Sequence, residues 1–203
     1  MSEAKKTNKR NYSRPSLEKL VVVNNEAAIE ALDTYVNKAM YAIYALDVIL
    51  FYIGDDEVAD AANQQVKDLF DTKSELFQNE IQKNQAKIDD LSLEPVTYSE
   101  QRSKAYKVYS PLCSKYLKLI QKFDLSCSLL DTLWMHDELD SKVRIKKLIK
   151  SGRHMRNVSN QIINISKRAM AVAKSQGKEA EVAATMSEIT PTNDDVNETK
   201  EVA

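Results

Sequence analysis

Four stretches of this chain repeat apolar residues at steps of three and four, and a fifth does not. From Asn25 to Ile53 the positions are Ile29, Leu32, Val36, Ala39, Met40, Ile43, Leu46 and Leu50. That period predicts a helix, capped by Asn24 or Asn25 and stopped by Gly54. A second helix is expected from about Asp56 to Leu91, on Val58, Ala62, Val66, Leu69, Leu76, Phe77, Ile81, Ile88 and Leu91, opposite an acidic, glutamine-rich face. A third starts where Ser110 caps and Pro111 takes the first helical position, and is lined by Leu112, Tyr116, Leu119, Ile120, Phe123, Cys127, Leu130 and Trp134. The last runs from a cap at Asp140 to about Gln176, with Leu148, Met155, Val158, Ile162, Ile165, Ala169 and Val172 as its buried seam. Gly152 lies inside it, where a kink or break is expected. The exception is Leu17 to Asn24, whose block Leu20-Val21-Val22-Val23 reads as the only strand. "SLEPVTYSEQ" is a connector, and "RSKAYKVY" fits neither period. The fold expected is all-α: a bundle of about four long helices preceded by one short N-terminal strand. Residues 1–16 read as a basic disordered arm, 17–177 as the helical domain, and 178–203 as an acidic disordered tail.

Composition narrows the chemistry. The 203 residues include three glycines, four prolines, two cysteines and two histidines. Cys113 and Cys127 sit in one helical pattern and read as reduced core residues. There is no Gly-rich phosphate loop and no nucleophile elbow. "WMHDELD" gathers His136, Asp137, Glu138 and Asp140, but a di-iron bundle needs paired Glu-x-x-His motifs on separate helices. The expectation is a non-enzyme without cofactor, metal or small-molecule substrate, with Trp134 in the core. The most apolar run, Ala39 to Ile53, is short and contains Asp47, so it reads as a buried helix. No apolar segment follows the basic start, which points to the cytoplasm.

Charge changes the picture more. The formal net charge is −1, yet residues 54–100 hold four Lys/Arg against twelve Asp/Glu, and residues 141–178 hold eleven Lys/Arg and no acid. Neutrality here is a cancellation of patches, and a partner senses patches. Two basic elements follow: Lys5, Lys6, Lys9, Arg10 and Arg14 on the arm with Lys19 on the strand, and Arg144, Lys146, Lys147, Lys150, Arg153 and Arg156 on the last helix. One alternative is a solvated face balanced by the acidic second helix. The other is an anionic partner, and a phosphate backbone suits it better than a membrane, because the helix has no free aromatic wedge. Base reading would need a two-stranded ribbon, which one strand builds only by pairing with a second copy. A strand that merely ties the arm to the bundle is the structural alternative.

The order of these segments carries a resemblance: "NNEAAIEALDTYVNKAMYAI", "VKDLF", then "VYSPLCSKYLKLIQKFDLSCSLLDTLWMHDELD" and a basic closing helix. Over roughly residues 17–175 it resembles the AcaB-like regulators of conjugative plasmids and integrative conjugative elements. Its most specific parts are the Ser-Pro start, Phe123-Asp124, and Leu130 to Trp134. The resemblance implies a DNA-binding activator of conjugative-transfer genes, a homodimer with a ribbon-helix-helix-like element, with Lys19 facing the groove. RNA polymerase or another regulator would be a further partner. The competing reading is a helical scaffold or accessory protein of the transfer machinery that binds protein instead of double-stranded DNA.

Overall fold

A computed structural model describes residues 15–53 and 57–187. The arm cations Lys5, Lys6, Lys9, Arg10 and Arg14 lie outside the described residues, as does the expected stop at Gly54. Strand β1 (Leu17–Val23) pairs antiparallel with β2 (Arg102–Val108), from Leu17 opposite Val108 to Val23 opposite Arg102. The second strand is the segment that fitted neither period. Tyr106 and Val108 are buried on one face, while Ser103, Ala105 and Lys107 are exposed on the other, so it does alternate over its last few residues. The expectation of a single strand is thereby corrected. So is the view that a ribbon requires two copies, because one chain supplies both strands.

The first expected helix is built in three pieces: α1 (Glu26–Ala31), a π-helical turn (Leu32–Val36) and α2 (Asn37–Ile53). Asn25 caps it by accepting from the Ala27 amide at 3.0 Å. Helix α3 (Glu57–Asp90) follows. Helix α4 (Pro111–Met135) is capped by Ser110, which accepts from the Cys113 amide. Helix α5 (Ser141–Ser175) is capped by Asp140, which accepts from the Lys142 and Val143 amides. It runs unbroken through Gly152, where an added Cβ would meet nothing within 4 Å. The glycine leaves the helix intact because neighbouring residues are good helix formers and its site is open. Past a left-handed turn at Gly177, α6 (Glu179–Ser187) buries Val182 and Met186. That part of the acidic segment is therefore helical and packed, contrary to its reading as disordered, because two apolar residues four apart share one face.

Strand, helix, helix occurs twice in this order. β1 leads into α1–α2 and α3, and β2 leads into α4 and α5. In each unit the helix cap, Asn25 or Ser110, stands two residues past the strand. The units interlock: β1 lies on β2, α3 packs chiefly on α4, and α5 chiefly on α2. Each unit's second helix thus covers the other unit's first. The core between them holds Leu32, Ile43, Leu46, Phe70, Phe77, Tyr116, Ile120, Phe123, Met155 and Ile162. Fully burying each large apolar side chain contributes about 1.5–3 kcal/mol. The Tyr116 hydroxyl buried in this core is satisfied, hydrogen-bonded to Ser159 Oγ at 2.7 Å.

Candidate nucleic-acid interface

The ribbon's orientation follows from its alternation. Val21 and Val23 are buried, so Lys19, on the same face and opposite Tyr106, points toward the helices. It is half-buried and is not the groove-facing cation expected. The outward face carries Glu18 opposite Lys107, Leu20 opposite Ala105, and Val22 opposite Ser103. Leu20 is 62% exposed. Lys107 and Ser103 are therefore the outward polar groups that β2 adds, alongside Glu18 on β1. The alternation in "RSKAYKV" was the signal for them.

Where the ribbon ends, a buried polar junction ties it to the basic helix. The backbone amides of Asn24 and Asn25 donate to Asp124 Oδ1 at 3.0 and 2.8 Å. Asn25 Nδ2 donates to Asp131 Oδ2 at 2.6 Å, and the Tyr98 hydroxyl donates to the same oxygen at 2.7 Å. Burial pushes the Tyr98 hydroxyl up to about 12. Burial also raises the Asp124 carboxyl, against the two asparagine amides that lower it. Asp131 Oδ1 accepts from Arg144 Nε at 2.6 Å, and the guanidinium lies 4.1 Å from the centre of the Trp134 ring. Trp134 is consequently half-buried under Arg144, donating to Ser141 Oγ at 2.9 Å, and is not the core residue expected. These residues are the ones that carry the resemblance: Asp124 follows Phe123, and Asp131 lies inside Leu130 to Trp134.

The six α5 cations divide. Arg144 is committed to Asp131, and Arg156 reaches Glu30 at 3.3 Å, so both have acidic partners in their own chain. Among the described residues no carboxylate lies within 4 Å of Lys146, Lys147, Lys150 or Arg153. Lys147 is half-buried at the flank. Lys146, Lys150 and Arg153 line a shallow groove with Lys142, Ile145 and Ile149. Lys142 joins them by its place four residues before Lys146. Ile145 and Ile149 are about half exposed, and none of residues 141–150 is buried. The first turns of α5 thus project as an ordered helix end with an uncovered stripe of cations and isoleucines. Burial, then Lys73 and Lys150, hold the neighbouring His154 below its ordinary range, with Glu80 opposing them.

The fold is AcaB-like. It superimposes on the crystal structure of AcaB from uropathogenic E. coli with a TM-score of 0.81 and 25% sequence identity, over 90% of this chain and 95% of that one. No protein-family model and no curated sequence matches the chain. Among the described residues no helix is long and apolar enough to cross a membrane, and no group of three or more His, Cys, Asp or Glu is placed to hold a metal.

Proposed function

We propose that this protein is a DNA-binding transcription regulator and, as the sequence resemblance to the AcaB-like regulators implies, an activator of conjugative-transfer genes. The observation that carries the reading is the unpaired line Lys142, Lys146, Lys150 and Arg153 on a projecting helix whose first turns are anchored, through Arg144, Asp131 and Asn25, to the end of a ribbon. The cations neutralise phosphates irrespective of sequence, and the ribbon's outward face, with Lys107 and Ser103, enters the major groove. One chain suffices for the ribbon; a homodimer would set two ribbons on one site. The basic arm adds phosphate contacts where β1 begins.

The test is a gel shift across a salt series, with the full chain and with Lys146→Glu, Lys150→Glu and Arg153→Glu combined. Affinity for duplex DNA should fall steeply with salt, and the triple reversal should flatten the slope by about 0.9 for each phosphate no longer neutralised. An unchanged slope, or no binding by the full chain at low ionic strength, overturns the proposal. The accessory-protein reading has one observation in its favour: Ile145 and Ile149 are apolar side chains that phosphate binding does not use.

A further inference from the structure

Those two isoleucines pose a question that DNA does not answer. The stripe is both cationic and apolar, and no described residue covers it. Its occupant must bring carboxylates and aliphatic side chains together. A second copy of the stripe is unsuited, because like charges would face one another across the contact. Residues 188–203 have the required chemistry: Glu188, Asp194, Asp195, Glu198 and Glu201 against one lysine, with Ile189, Val196 and Val202 among them. Their tether is well placed. Helix α6, held by the buried Val182 and Met186, ends at Ser187 beside α2 and α5. From the end of α5, helical rise sets Arg153 about 33 Å away, Ile145 about 45 Å and Lys142 about 50 Å. A segment the length of 188–203 extends to about 50 Å, so its last residues reach the part of the stripe from Arg153 back to Ile145.

We infer that residues 188–203 dock on the Ile145–Arg153 part of the stripe of their own chain and compete with DNA phosphates for its cations. The inference rests on the DNA-binding reading only in its second half. Tethering gives the segment an effective concentration in the millimolar range, so a weak contact is enough to hold it. The contact would weaken DNA binding most at low salt and release the stripe as salt or a competing polyanion screens it.

Zero-length carbodiimide crosslinking of the full chain at low ionic strength, read by mass spectrometry, tests the docking. Links from Lys146 or Lys150 to the carboxylates of 188–203 are expected in the monomer band. No such links, or links confined to a dimer band, overturn it. Ile145→Ser with Ile149→Ser leaves the charge unchanged and should lower the link yield severalfold; an undiminished yield overturns the part assigned to the isoleucines. The same variant should bind DNA more tightly, by roughly fivefold, and equal affinity overturns the competition. Links in the monomer band, with no DNA binding by either protein, would leave the docking standing and remove the DNA-binding reading instead.

Discussion

The two strand–helix–helix units share a skeleton and differ in what they hold at equivalent joints. Asn25, the first cap, is clasped by Asp124 and Asp131 of the other unit, and Arg144 completes Asp131. Ser110, the second cap, meets Asp47 of the first unit, whose carboxyl is raised by burial against the lowering hydrogen bond from Ser110 and whose Oδ2 is buried with no partner among the described residues. One joint is a closed network and the other is open. Their second helices differ as well. α3 is acidic along its exposed face, whereas α5 is cationic. An interlocked pair of like units can therefore keep its core while one member alone carries a cationic face.

Breaking the closed joint should cost most. Asp131→Ala leaves Arg144 and Asn25 Nδ2 without their acceptor, in a site where the Arg144 side chain is only 24% exposed. A loss of about 3–5 kcal/mol is expected in chemical unfolding, together with a change in Trp134 fluorescence. Asn25→Ala should follow at about 2 kcal/mol, against about 1 for Ser110→Ala, since the asparagine caps a helix and also donates its side-chain amide to the buried Asp131 of the other unit. Equal costs would mean that the two joints are equivalent. Gly152→Ala should raise stability by about 1 kcal/mol, because the helix is regular there and the site has room.

The smallest effect belongs to the open joint. Asp47→Asn should stabilise the protein by about 0.5–1 kcal/mol at neutral pH. The sign follows from linkage. A carboxyl whose folded value is raised favours the folded state most below its unfolded value, and that advantage disappears as pH rises through the folded value. The gain from asparagine should accordingly fade toward about pH 4. A gain independent of pH would show that charge at Asp47 is not the cause.

Much of the fold was legible along the chain, because helices announce themselves locally. The three-and-four spacing of Leu112 through Leu130, the Ser110-Pro111 start and the Asp140 cap each act within one turn, so sequence alone set the long helices and their polar faces. The one-sided charge of residues 141–178 was equally plain. Three things were decided only by tertiary structure. β2 depends on a partner that is far away in the chain, and its short alternation says nothing until β1 lies beside it. Lys19 faces inward because the helices choose which face of the ribbon to bury. The division of the α5 cations, with Arg144 and Arg156 neutralised and Lys146, Lys150 and Arg153 left uncovered, depends on carboxylates brought from other helices. Local spacing determines an element and its faces; which face meets a partner is a long-range choice that packing makes.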